Sequence, residues 1–200
     1  MALIIYGSPR SRTLRVLWAA AELGLDYQHI PLEADDPALK GEYFLRLNPA
    51  GAIPTIVDDG FALSESMAIN LYLAKTYGGA PFYPVGAQEE ADAWRWSLWA
   101  QGALEPWVQR DGFMSELREV AGDVLAARSH AGLAVLERAL SQRAWLIGDH
   151  FTVADLNVAG VLSPSRAAQI DFASAACTRE WLARCYGRPA ALAARAKFQL

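Results

Sequence analysis

The chain has 200 residues, 53% of them apolar and 20% charged, which is ample for a packed core and excludes an intrinsically disordered protein. A formal charge of −4 with no dense Lys/Arg block excludes a polybasic nucleic-acid or anionic-membrane binder. No uncharged apolar stretch approaches the ~18–20 residues that cross a bilayer. The opening MALIIYGSPRSR is too short an apolar run for a signal-peptide core, so a cytoplasmic location is expected.

The residues from 1 to 78 carry both strand and helix signals. LIIY at 3–6 is a short run of β-formers closed by Gly7-Ser8-Pro9, a buried strand and tight loop. Residues 13–23 place Leu14, Leu17, Trp18 and Ala21 three and four apart, with Gly24 just beyond, a helix with a glycine stop. A strand over 27–32 and a short helix near 39–46 follow. After the turn Asn48-Pro49-Ala50-Gly51, residues 54–57 and 61–63 read as a hairpin around Asp58-Asp59-Gly60. A helix from Glu65 to about Tyr77 completes the order β-α-β-α-β-β-α, a small mixed α/β unit.

Gly78 to Gly86 is rich in glycine and proline and reads as a linker. Beyond it strand signals vanish. Helical patterns run over 87–110, 116–141, from Thr152, 174–186 and 189–197, an all-α bundle over 87–200. Trp96, Trp99 and Trp107 share a rough stripe, read as core or subunit interface, while Trp94 points elsewhere. Cys177 and Cys185 form no CxxC, and they read as two thiols packed near a late helix. His29, His130 and His150 stand apart, so neither a metal site nor a resident cofactor is expected.

Three short segments carry candidate chemistry. Pro54, after Ile53, serves as an ordinary strand-opening proline if trans. If cis, it turns the Ile53 backbone outward, where an extended peptide can pair with it. Ser64-Glu65-Ser66 opens the second long helix. A plain helix cap explains it, with Ser64 accepting from first-turn N–H groups. The same physics serves a guest, with Ser66 and free N–H groups holding a carboxylate and Glu65 accepting from an ammonium. In the loop Gly7 to Thr13, a serine near a helix start reads by itself as a cap.

The stretch NPAGAIPTIVDDGFALSESMAINLYLAKTYG closely resembles the core of the glutathione transferase N-terminal domain. The resemblance continues to Phe151-Thr152-Val153-Ala154-Asp155-Leu156, similar to that family's capping box and hydrophobic staple, with Thr152 as N-cap and Phe151 against Leu156. It implies a thioredoxin-like α/β domain followed by an all-α helical bundle, assembled as a homodimer. It implies that Ile53 pairs with the cysteinyl part of glutathione beside a cis Pro54, and that Glu65 and Ser66 hold the γ-glutamyl end. Ser11 aligns with the catalytic serine of the theta- and phi-like classes, with Ser8 as runner-up and Arg10 or Arg12 adding positive charge. Lys40 matches a lysine near the glycine carboxylate, unless it is simply an exposed helix lysine. Tyr6 falls inside the strand and the loop has no Cys, so tyrosine-type and mixed-disulfide mechanisms are not expected.

The implied activity is thiolate attack by glutathione, a consumed co-substrate, on a hydrophobic electrophile. The alternatives are a glutathione-dependent disulfide reductase or peroxidase, and a non-enzymatic binding module of the same fold.

Overall fold

The computed structural model describes residues 2–108, 122–163 and 170–197. By contacts the chain divides into two compact units, Met1–Gly79 with Gly187–Leu200, and Ala80–Tyr186.

The first unit is built on four strands: β1 (Leu3–Tyr6), β2 (Gln28–Ile30), β3 (Thr55–Asp58) and β4 (Phe61–Ser64). They lie in the order β2-β1-β3-β4, with β1 parallel to β2 and the other pairs antiparallel. Ile5 of β1 pairs with His29 on one side and Ile56 on the other. A strand central to a covered sheet is apolar on both faces, which accounts for the unbroken LIIY run. On one face Ile5, Val16, Leu17, Ile56, Ile69 and Leu73 are fully buried, bringing in α1 (Thr13–Glu22) and α3 (Ser66–Leu73). On the other, Tyr6 packs with Leu39 and Phe44.

The anticipated helix near 39–46 is two pieces. A 3-10 turn, Pro37–Lys40, is capped by the Asp36 carboxylate accepting from the Ala38 N–H at 2.8 Å; α2 (Glu42–Leu47) then begins after extended Gly41. The anticipated helix over 65–77 also differs. Ser64 stays in β4, α3 begins at Ser66, and its last turn widens to a π turn over Ala74–Gly78. Ser64 is therefore not the cap.

α1 stops where Gly24 takes φ +61°, and the N–H groups of Gly24 and Leu25 return to the Ala21 and Ala20 carbonyls. α9 (Pro189–Ala196) packs against α1, with its own Ala191 and Ala194 buried. Arg188 grips Glu22 through two bonds of 2.7 and 2.8 Å, the bidentate geometry that gives ion pairs their strength. Sequence pattern alone put this helix with the others of the C-terminal half, because its partner lies far away in the chain; in space it belongs to the first unit.

The regular elements among the described residues of the second unit are all helices. α4 (Ala87–Trp99) passes through a π turn, Ala100–Leu104, into α5 (Glu105–Val108). Pro106 has no N–H to return to the Gly102 carbonyl and its ring crowds the preceding turn, which explains the widening one turn earlier. Trp96 is buried and meets Trp99 edge-on at 5.3 Å, whereas Trp94 is half exposed. α6 (Gly122–Leu140) is the described part of the helix expected over 116–141, and the residues before it lie outside the described set, as do 109 and 110 of the first helical pattern.

α7 (Val153–Val161) is buried along its whole length. Its capping box is complete: Thr152 Oγ1 accepts from the Ala154 N–H at 3.3 Å, and Asp155 accepts from the Thr152 N–H at 2.9 Å. The ring of Phe151 stacks on Phe82 and meets Trp145 edge-on. α8 (Ala176–Tyr186) starts on a borrowed cap, the Glu137 carboxylate of α6 accepting from the N–H groups of Cys177 and Thr178 at 3.0 and 2.9 Å. Both cysteines are free thiols on α8. Among the described residues no helix is long and apolar enough to cross a membrane, and no three His, Cys, Asp or Glu side chains gather as a metal site would require.

Candidate active site

The six residues singled out from the sequence all lie in the first unit: five on three segments that the sheet brings together, and Lys40 on the 3-10 turn that reaches one of them. The first is the β1–α1 loop. Gly7 turns the chain at φ +129°, and a Cβ there would lie 2.1 Å from Thr13 Oγ1 and 2.9 Å from Ile53 Cβ. Only glycine lets the loop close this tightly. Gly7→Ala is accordingly expected to cost about 3 kcal/mol. The midpoint of urea unfolding reads this, and an unmoved midpoint would mean that the loop relaxes at no cost.

Ser11 sits one residue before the helix boundary, at Arg12, whose own side chain provides no cap. Ser11 Oγ accepts from the Thr13 N–H at 3.1 Å, and lies 2.7 Å from the Ser8 carbonyl and 2.8 Å from Thr13 Oγ1. A carbonyl can only accept, so the Ser11 hydrogen points to Ser8 and Thr13 donates to Ser11. The same Ser8 carbonyl takes the Ser11 N–H at 2.9 Å. Ser11 can thus swing its hydrogen to a guest without stranding the Ser8 oxygen, while fully buried Thr13 keeps Oγ in place. Ser8, the runner-up, is 2% exposed and its Oγ accepts from the Arg10 N–H at 3.2 Å. Arg10 and Arg12 are both exposed.

The second segment is the turn before β3. The Ile53-Pro54 peptide is cis. Ladder pairing starts only at Thr55, which faces Tyr6 on one side and Ser64 on the other, so the Ile53 backbone is not consumed by the sheet. Asn48 ties the turn down: its Nδ2 donates to the Ala52 carbonyl at 2.8 Å and to Thr55 Oγ1 at 3.1 Å. Lys40 reaches the same turn, its Nζ donating to the carbonyls of Ala50 and Gly51 at 3.3 and 3.1 Å. Two of its three hydrogens are spent there, and the third remains for a ligand.

The third is the β4–α3 junction. Glu65 occupies the cap position of α3 at φ +70°, a conformation that L side chains adopt at a cost of about 1–3 kcal/mol and that concentrates at functional sites. Ser66 opens the helix and is 4% exposed. Arg15 Nη1, itself 4% exposed on α1, donates to Ser66 Oγ at 3.3 Å. With that lone pair occupied, the Ser66 hydrogen is directed elsewhere, and a buried cation stands behind the helix start. A carboxylate placed at Ser66 therefore meets a hydroxyl donor, helix N–H groups and positive charge together.

Arg15, Thr13 and Asn48 were missed in the sequence. A signal did exist for Arg15: it is a lone cation in the apolar run of α1, one turn after Ser11. Tyr6 stays outside this site. Burial, then the Tyr43 hydroxyl 3.3 Å away, pushes its phenol up to about 12, and the ring lies with Leu39 and Phe44 across the sheet.

Comparison with known proteins gives this arrangement a family. Residues 1–75 match the family model of the glutathione S-transferase N-terminal domain, and residues 105–189 that of the glutathione S-transferase C-terminal domain. Glutathione S-transferase 3 of Zea mays is 34% identical over 175 residues, spanning 76% of this chain and 73% of its own length. The chain belongs to the glutathione S-transferase family.

Membership makes this chain a glutathione transferase enzyme, with the family's mixed four-stranded domain and helical C-terminal domain. A glutathione S-transferase structure from Pseudomonas fluorescens superposes with a TM-score of 0.82 at 26% identity, covering 94% of this chain and 96% of that one. A further relative, the disulfide-bond oxidoreductase YfcG of Escherichia coli, is 28% identical over 98% of this chain and 95% of its own length.

Proposed function

We propose that this glutathione transferase binds glutathione within residues 1–78 and activates its thiol with Ser11, as serine-type members do. In this reading the cysteinyl backbone of glutathione pairs with Ile53 beside cis Pro54, and Glu65 and Ser66 take the γ-glutamyl ammonium and carboxylate. The third hydrogen of Lys40 serves the glycine carboxylate. Ser11 donates to the sulfur, which lies at the positive start of α1. That donation favours thiolate over thiol and positions it for attack.

The observation that carries the reading is the hydroxyl geometry of the loop, where Ser11 Oγ is held by Thr13 while its hydrogen rests on a carbonyl that has a second donor. The enzyme acts as a cytoplasmic homodimer with no resident cofactor, on an electrophile carried into reach of the sulfur. The near full-length likeness to the Escherichia coli oxidoreductase supports a second reading, in which the same thiolate attacks a disulfide.

Calorimetric titration with glutathione tests the binding half. Loss of a charged hydrogen bond in Glu65→Ala should weaken affinity about tenfold or more. Equal affinity in the variant would refute the assignment. Turnover of 1-chloro-2,4-dinitrobenzene against that of bis(2-hydroxyethyl) disulfide then decides between conjugation and reduction.

A further inference from the structure

A cavity of about 650 Å³ opens within the first unit, on the β2 side of the β1–α1 loop. Ser8, Pro9 and Arg10 of that loop form one wall, with His29, Glu33 and Lys197 completing it. The loop is shared with the thiol site, since Ser11 Oγ lies 2.7 Å from the Ser8 carbonyl. A sulfur that accepts from Ser11 therefore rests against the same short segment that bounds the cavity.

The chemistry of the wall is polar. Pro9 and Pro31 are the only apolar residues in its lining, and the one ring beyond theirs is the imidazole of His29. Its lining holds two cations, Arg10 and Lys197, and one carboxylate, Glu33, an excess of one positive charge. His29 Nε2 is 2.8 Å from the Gly7 carbonyl, which can only accept, so the proton is on Nε2 and Nδ1 is an acceptor in the neutral ring. Lys197 Nζ is steadied by the Tyr27 hydroxyl and stands 4.7 Å from that ring's centre. This holds the ammonium in position on an otherwise flexible stem. A purely apolar electrophile would gain little from such walls and would strip water from charged groups. A substrate with a compact anionic end gains charge-assisted contacts, and the excess cation offsets its repulsion from the nearby thiolate.

We propose that this cavity receives the anionic end of the second substrate, so that the preferred electrophiles carry a carboxylate. The inference rests on the glutathione reading above for the nucleophile. In the reaction the glutathione thiolate forms a C–S bond to the electrophilic carbon. With an aryl chloride the C–Cl bond breaks, chloride leaves with its electron pair, and the thiol proton has passed to solvent.

The test compares 4-chloro-3-nitrobenzoate with 4-chloro-3-nitrobenzamide, each rate divided by that substrate's rate with free glutathione in solution. In parallel, the unreactive 3-nitrobenzoate and 3-nitrobenzamide are titrated calorimetrically into the glutathione-loaded protein. The benzoate should lead in both assays. Lys197→Gln should lower the benzoate-to-amide ratio about tenfold, and Lys197→Arg should restore most of it. Equal ratios in the parent protein and Lys197→Gln overturn the proposal. So does a change that falls only on the glutathione dissociation constant, because the cation would then serve glutathione's own carboxylate. Preferential benzoate binding without turnover keeps the anion site and strikes the conjugation reading, whereas turnover of both substrates at equal ratios does the reverse.

Discussion

Ser11→Ala should move the pKa of enzyme-bound glutathione upward by about one to two units, with little change in its affinity. The sign follows from which form the hydroxyl stabilises. Donation to sulfur favours the thiolate, so removing the donor makes the thiol harder to ionise. The pH–rate profile then shifts to higher pH, and below the parent protein's inflection kcat/KM falls about 10–100-fold. Ultraviolet titration of the bound thiolate reads the shift directly. The geometry adds a graded companion. Thr13→Val removes the side-chain donor that holds Ser11 Oγ at 2.8 Å but keeps the backbone N–H at 3.1 Å. Its shift should have the same sign and be smaller. An unmoved titration in Ser11→Ala would transfer the role to Ser8, whose hydroxyl borders the same loop.

The largest effect on stability is expected at Asp155. Its carboxylate accepts four bonds in a buried setting: the N–H groups of Leu146 and Thr152 at 2.9 Å each, Thr152 Oγ1 at 3.0 Å, and Trp181 Nε1 at 2.8 Å. It thereby joins the start of α7 to the segment before it and to α8. Asp155→Ala removes one side chain and leaves buried donors on three residues unpaired. Breaking such a network typically costs about 3–5 kcal/mol. Guanidinium unfolding followed by tryptophan fluorescence measures this, and a loss under 1 kcal/mol, about the worth of an ordinary helix cap, would show that the network is redundant.

The parts of the molecule legible in the sequence are those coded by neighbours a few residues apart. The strand run before Gly7, the α1 stripe ending at Gly24 and the Thr152–Asp155 box all specify their structure locally, and each forms where its pattern places it. The helix start at Glu65-Ser66 was legible too, and the role proposed for the pair rests on two residue types suited to the two charges of an amino-acid terminus standing side by side there. Long-range pairing was not legible. Arg15 meets Ser66 across 51 positions and Arg188 meets Glu22 across 166, and no periodicity carries such partners. The π turns were missed for another reason. Both sit inside patterns that are apolar at helical spacing, and only the consequence of Pro106 for the carbonyl one turn earlier betrays the one over Ala100–Leu104.

The return of α9 to α1 has a consequence for how the protein is made. The helix that packs on α1, and the arginine that clamps Glu22, follow the whole of Ala80–Tyr186 in the chain. During synthesis the sheet and the Ser11 loop emerge first, yet the unit holding them keeps an open apolar flank until the intervening helices have been translated. The unit that begins folding first is thus the last to be closed, and a fragment cut at the glycine-rich linker would keep its proposed binding residues while lacking the helix that packs on α1.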